Sequence, residues 1–262
     1  MKLGVNIDHI AVLREARKIN DPSPIDALPI CKLSGADQIT IHLREDRRHI
    51  QDRDASDIIR LSLLPVNLEC AIAPEIIDIV CSLNPHRATI VPEKREEVTT
   101  EGGLALEENF NALKEAILKL QENDIEVSLF IDPSIKSVEL SKDLGVQWVE
   151  FHTGKYANIY AMLYGGLANS NHCIKELDLP KSELETMLSD ELENIKTVAK
   201  LASSIDLKVA AGHGLNYQNV TEIAKIPQIE ELNIGQSIIA RSVFTGLEQA
   251  IKDMIVCVKD NI

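Results

Sequence analysis

Within Thr40–Arg53, TIHLREDRRHIQDR, four arginines (Arg44, Arg47, Arg48, Arg53) and two of the chain's seven histidines (His42, His49) are packed into one short stretch. It directly follows a short apolar run that reads as a buried strand. A His at the end of a β-branched strand, with an Arg two residues on, places a titratable base beside a guanidinium fork suited to phosphate. The competing reading is a solvated charged loop in which Glu45, Asp46 and Asp52 simply neutralise the arginines. The position at a strand end favours the anion site, and with it an enzyme that acts on a phosphorylated small molecule.

Two further places carry chemistry. Glu69 stands in VNLECA among apolar residues, where burial would raise its pKa towards that of a general base working near neutral pH. A structural ion pair with a barrel arginine is the alternative. Near the C-terminus, Gly212-His213-Gly214 and Gly235 supply small residues at which backbone N–H groups can approach an anion, although the glycines could merely permit tight turns. His42, Glu69 and His213 together suggest acid/base rather than nucleophilic catalysis. No Gly-x-Ser-x-Gly elbow is present, Cys70 has no basic neighbour in sequence, and Lys208 has no context that marks a Schiff base. Asp8-His9, His42 and His213 could be metal ligands, but the chain lacks a His-x-His after its first strand and any His-Glu-x-x-His pair, so no metal is expected.

These residues need elements to position them. Short apolar runs predict strands at 2–7, 38–43, 66–70, 87–91, 126–131, 147–151, 207–211 and 230–234. Helical patterns lie between or after them at 24–35, 54–64, 74–83, 107–122, 134–143, 181–203, 217–225 and 237–259. Eight strands, each followed by a helical pattern and with no long linker, favour a single α/β domain over 1–262, a (β/α)8 TIM barrel with extra helices, over a doubly wound sheet. Asn6, Asp8, His42, Glu69, Glu150, His152, His213 and Gly235 all fall at or just beyond strand ends, which such a fold gathers at one mouth. Residues 155–190 break the rhythm and read as an irregular, helical insertion. The charged segment 92–103, with Lys94, Arg95 and Thr99 before Gly102-Gly103, reads as a lid. His86 and His172 lie away from strand ends and read as ordinary histidines.

Composition limits the function. At 262 residues, 45% hydrophobic and 3% aromatic, the chain can bury a large aliphatic core. A formal charge of −14 argues against broad binding to nucleic acid or to anionic membranes, so an anionic ligand must be held locally. Five cysteines without a close pair fit a reducing compartment, and no run of eighteen apolar residues occurs, which together suggest a cytoplasmic protein.

The strings GVNIDHIAVLREAR, HLREDRRHIQDRD, NLECA, VPEKREEVTTEGG, SLFID, VEFHTG, AGHGLNY and ELNIGQSIIARSV resemble, in this order, the pyridoxine 5′-phosphate synthase family, over nearly the whole chain except 155–190. The resemblance implies condensation of 1-deoxy-D-xylulose 5-phosphate with 3-amino-2-oxopropyl phosphate, releasing phosphate and water. It also implies two small phosphorylated substrates, no cofactor, and a homo-octamer of dimers. By motif, His42 and Glu69 match the family's proton acceptors, His213 its proton donor, and Glu150 a residue that stabilises the transition state. Asp8, His9, Arg44, His49 and Thr99 match contacts to the ketose phosphate. Asn6, Arg17, Gly214, Gly235 and Gln236 match contacts to the amino ketone phosphate. Position 236 departs from the family's expected His, which leaves the backbone N–H as the contact that either residue supplies. The connection 155–190 is longer than the family pattern leads one to expect.

Overall fold

The strands are short, four to six residues each, and lie between helices that cover their outer faces. In the computed structural model, which describes residues 1–93 and 102–259, β1 (Lys2–Asn6) is followed by α1 (Asp8–Glu15) and α2 (Ala27–Ser34). The alternation continues with β2 (Gln38–His42), α3 (Asp52–Leu61), β3 (Val66–Cys70), α4 (Pro74–Leu83), β4 (Arg87–Ile90), α5 (Phe110–Gln121), β5 (Glu126–Ile131) and α6 (Ile135–Leu144). It ends with β6 (Trp148–His152), α7 (Gly154–Leu163), α8 (Lys181–Ser204), β7 (Lys208–Gly212), α9 (Val220–Ala224), β8 (Ile229–Ile234), α10 (Gln236–Thr245) and α11 (Leu247–Lys259). All eight strands pair in parallel in sequence order, and β8 closes on β1 through Leu3 opposite Leu232. This is the expected (β/α)8 barrel.

Alternation along the strands sorts the side chains. Leu3, Val5, Ile39, Ile41, Leu68, Ala88, Ile90, Leu129, Val149 and Val209 are buried in the hydrophobic layer shared with the helices. The alternate positions, Gln38, Thr40, Asn67, Arg87, Thr89, Glu150, Glu231 and Asn233, are also buried, and they are polar. Their hydrogen bonds run across the barrel: Gln38 Nε2 donates to Glu231 Oε1 at 2.9 Å, Thr40 Oγ1 to Asn233 Oδ1 at 3.0 Å, and Thr89 Oγ1 to Asn67 Oδ1 at 2.8 Å. Hydrogen bonds of this kind offset the cost of burying the polar groups that make them.

Three elements differ from expectation. The sequence reading left 8–15 without a helix, whereas α1 starts directly after β1. The single helix expected over 237–259 is two, broken where Gly246 takes φ +80°, a backbone region a side chain disfavours. The helix expected over 217–225 is reduced to α9, because Asn216 and Asn219 build a turn in front of it, with Asn219 Oδ1 accepting the Asn216 N–H at 2.8 Å. The irregular stretch 155–190 consists of most of α7, two short 3-10 turns and the start of α8. It carries a small core of its own around Ile159, Met162 and Leu184. No described helix is long and apolar enough to cross a membrane.

Candidate active site

A cavity of about 600 Å³ opens at the carboxyl ends of the strands. Asn6 and His9 line it from the end of β1, His42 from β2, Glu69 from β3, Phe130 from β5 and Glu150 from β6. His213, Gly214, Gly235 and Gln236 complete the wall after β7 and β8. Sequence order had separated these groups by up to most of the chain, and the barrel brings them together. Asp8, Arg44 and His49 lie beside this lining rather than on it. Arg17 is exposed beyond the end of α1 and away from the cavity. Thr99, with Lys94 and Arg95 of the expected lid, lies outside the described residues.

Within the arginine-rich stretch, two of the arginines are paired with neighbouring carboxylates. Arg48 pairs with Asp46 at 2.7 Å and Arg47 with Asp52 at 2.8 Å, so these two are neutralised near the surface. Arg44 alone is turned inward, 2% exposed, with its Nε 3.4 Å from Asp46. Beside it, burial and then the charges of His42 and Arg44 push the His49 imidazole down to about 4. Burial lowers His9 as well. Both histidines are therefore neutral near pH 7 and offer hydrogen bonds rather than charge.

The carboxylates move the other way. Burial, followed by the charges of Glu150 and Asp8, holds Glu69 well above the ordinary carboxylate value. Burial also raises Glu150 to about 7, although Asn233 Nδ2 donates to its Oε2 at 2.8 Å and favours the ionised form. Asp8 is raised to about 6 by burial, which outweighs His42, Asn6 and Arg44. Its Oδ1 accepts the His42 backbone N–H at 2.9 Å and its Oδ2 accepts from Asn6, so it ties the ends of β1 and β2 together. Three carboxyl groups raised by burial, two on the cavity wall and Asp8 beside it, can exchange protons with a bound molecule.

His42 is held on both edges. Its Nδ1 lies 3.8 Å from Glu69 Oε2, and its Nε2 lies 2.8 Å from Glu93 Oε1. On the opposite wall, the rings of His152 and His213 meet edge-on at 4.7 Å between centroids, with Phe130 5.2 Å from His152. Desolvation and then the neighbouring His152 push His213 down from the ordinary histidine value. His152 Nδ1 faces Asp132 Oδ1 at 3.2 Å. Sequence reasoning missed Glu93, Asp132 and Asn233. The only sequence signal for them was their place at or just past a strand end.

The end of the cavity after β7 and β8 is built largely from backbone. Gly235 lies so close to Asn6 that an added Cβ would stand 2.8 Å from Asn6 Cβ, so only glycine lets β8 run straight into α10 here. The first N–H groups of α10, beginning at Gln236, have no carbonyl partner within the helix and carry the positive end of its dipole. Ser237 Oγ donates to Leu215 O at 2.9 Å, joining this helix start to the loop after β7. Thr153 Oγ1 donates to the carbonyls of Gly212 and His213, each at 2.7 Å, and fixes that loop from β6.

Fold and site position together define a (β/α)8-barrel enzyme with its cavity at the carboxyl mouth. The chain belongs to the family described as Pyridoxal phosphate biosynthesis protein PdxJ, whose model matches residues 3–260. It is 69% identical over 261 residues, covering the whole of both chains, to pyridoxine 5′-phosphate synthase of Aliarcobacter butzleri. It is 60% identical to the Campylobacter fetus protein of the same name, over 99% of this chain and all of that one. Among solved structures, a thiamine phosphate pyrophosphorylase from Pyrococcus furiosus superposes with a TM-score of 0.57 at 11% identity, covering all of this chain and 96% of that one. Phosphoribosyl anthranilate isomerase from Thermococcus kodakaraensis gives 0.57 at 11% identity over 99% of each chain. At such identities the likeness speaks to the fold alone.

Proposed function

We propose that this protein is a pyridoxine 5′-phosphate synthase, joining 1-deoxy-D-xylulose 5-phosphate and 3-amino-2-oxopropyl phosphate into pyridoxine 5′-phosphate with release of one phosphate and two waters. The observation that carries this reading is the convergence of His42, Glu69, Glu150 and His213 on one cavity whose rim has a backbone anion site at the start of α10. The named relatives, which match along their whole length, support the same reaction. Imine formation with loss of one water, loss of a second water, phosphate loss and ring closure all move protons. Carboxyl groups raised towards neutrality beside His42 suit that succession.

In this reading His42 and Glu69 accept protons from the condensing substrates, His213 returns one to a leaving oxygen, and Glu150 stabilises positive charge on the imine nitrogen. The amino ketone phosphate sits against Asn6, Gly214, Gly235 and the Gln236 backbone N–H, with Arg17 reaching it from outside the cavity. The ketose phosphate takes Asp8, His9, Arg44, His49 and Thr99. The whole chain acts as one barrel domain in the cytoplasm, without metal or organic cofactor, and assembles as an octamer of dimers.

The test is to supply the purified protein with each phosphate alone and with both, following free phosphate and pyridine absorbance together. Both signals should rise in step, and only with both substrates. Turnover of the ketose phosphate alone would make the protein an isomerase or aldolase instead.

A further inference from the structure

We propose that Glu93 is a positioning residue for His42: its carboxylate fixes the imidazole with the proton on Nε2, so that Nδ1 is the nitrogen that takes the substrate's proton. The proposal rests on the reading of His42 as a proton acceptor and adds which atom acts and what sets it.

The geometry separates the two carboxylates by edge and by exposure to the cavity. Glu93 follows β4, its side chain is 5% exposed, and it does not line the cavity. Its Oε1 lies 2.8 Å from His42 Nε2, and its Oε2 accepts the Glu45 backbone N–H at 2.9 Å, so both carboxylate oxygens are engaged and the group cannot turn. Glu69 does line the cavity, and its Oε2 stands 3.8 Å from Nδ1, too far for a hydrogen bond. The ring therefore has a short, anchored contact on its protein side and an open nitrogen on its cavity side.

Charge points the same way. Burial works against an ionised Glu93, but the hydrogen bond and charge of His42, the Glu45 amide and Arg44 outweigh it and hold the carboxyl below its ordinary value. Glu69 is shifted upward, so it is the poorer anion of the two. An ionised carboxylate only accepts, so the 2.8 Å contact requires a proton on Nε2, and in the neutral ring this leaves the Nδ1 lone pair free for the substrate. In the step itself the substrate's C–H or N–H bond breaks and its electron pair stays on the substrate. The proton bonds to Nδ1, and the resulting imidazolium has one N–H towards Glu93 and the other towards Glu69. The remaining groups facing His42 are Asp8 on its backbone N–H at 2.9 Å, the His49 ring at 6.2 Å and Arg44. None of these contacts a His42 ring nitrogen within hydrogen-bond distance in the described hydrogen bonds.

Glu93→Gln keeps the shape and removes the charge. The variant should lose roughly 100-fold in kcat with both KM values held. Removing an anion beside an imidazolium lowers its pKa, so the acidic limb of the kcat/KM profile should move down by about one unit. Glu93→Asp should restore part of that limb. Nitrogen-15 NMR of the imidazole in the wild-type protein reads the tautomer without any substrate, and Nδ1 should give the unprotonated resonance. An unprotonated Nε2, or a Gln variant with unchanged rate and pH profile, would overturn the assignment. Because the tautomer is read in the resting protein, the result stands apart from whether the proposed synthase reaction is the right one.

Discussion

Glu150 is 3% exposed and accepts a hydrogen bond from Asn233, yet burial raises its carboxyl from 4.5 to about 7. The folded chain thus binds this proton more tightly than the unfolded chain does. Its contribution to stability is fully present below about pH 4.5 and is lost as pH rises through about 7, a total swing on the order of 3 kcal/mol. Glu150→Gln keeps an oxygen for Asn233 and removes the charge, so it should raise Tm by several degrees at pH 8 and hardly change it at pH 5, while abolishing turnover. Equal Tm shifts at both pH values would show that the carboxyl is not protonated on folding. His42, Glu69, Glu150 and His213 were recognisable in sequence because each stands at a strand end with a polar side chain among apolar neighbours. Glu93 was not, because it is one of several charges in VPEKREE, and only the closed barrel shows which of them meets His42. Arg17, expected at the substrate from its motif, follows the last turn of α1, is exposed and is not part of the cavity lining.

Helix α1 shows why one element escaped the sequence reading. It buries Ile10 and Ala11 but also the charged Asp8 and Arg14, while apolar Val12 and Leu13 are 41% and 50% exposed, so the usual apolar stripe is mixed. What holds the helix is a bidentate pair: Arg14 Nη1 and Nη2 donate to Asp54 Oδ1 and Oδ2 at 2.8 and 2.7 Å. Asp54 also accepts the Gln51 N–H at 2.9 Å, which caps α3, and Arg14 Nη2 donates to the His49 carbonyl at 3.0 Å. One guanidinium therefore locks α1, the start of α3 and the loop carrying His49. Arg14→Ala leaves Asp54 without its partner and should destabilise the fold by about 3 kcal/mol. Arg14→Lys, which cannot make the fork, should recover only part of this in urea denaturation. A loss within the range of an exposed surface pair would show that packing rather than the pair anchors α1. The other misplaced boundaries have similarly local causes. An apolar pattern runs unbroken through Gly246, and one glycine inside such a pattern does not announce a break between α10 and α11.

Across the whole molecule, the eightfold alternation of strand and helix was plain in the sequence because the strands are short, largely apolar runs separated by helical patterns. The pairings inside the barrel were not, since they join positions far apart in the chain. Arg87 on β4 donates to Glu231 on β8 at 2.8 Å, stacks over Trp148 on β6 at 3.8 Å, and lies 3.7 Å from Glu126 on β5. Glu231 is 1% exposed, so this pair closes the interior opposite the mouth. From it, hydrogen bonds lead through Gln38 to Asn233, at 3.4 Å, and from Asn233 to Glu150. Arg87→Met removes one partner and strands a buried carboxylate, which should destabilise the fold by roughly 3–5 kcal/mol. Adding Glu231→Gln removes the stranded charge, and the double variant should recover much of that loss, because a neutral amide still meets Gln38. The double-mutant cycle in urea then gives the coupling between the two positions. Turnover should follow stability only in part. Asn233 holds Glu150 through a hydrogen bond of its own, so the double variant should regain the fold while kcat stays low if the interior chain sets the angle of Asn233. A double variant that is stable and fully active would mean that Asn233 is fixed by Thr40 alone, and that the ion pair at the base of the barrel serves the fold without reaching the site.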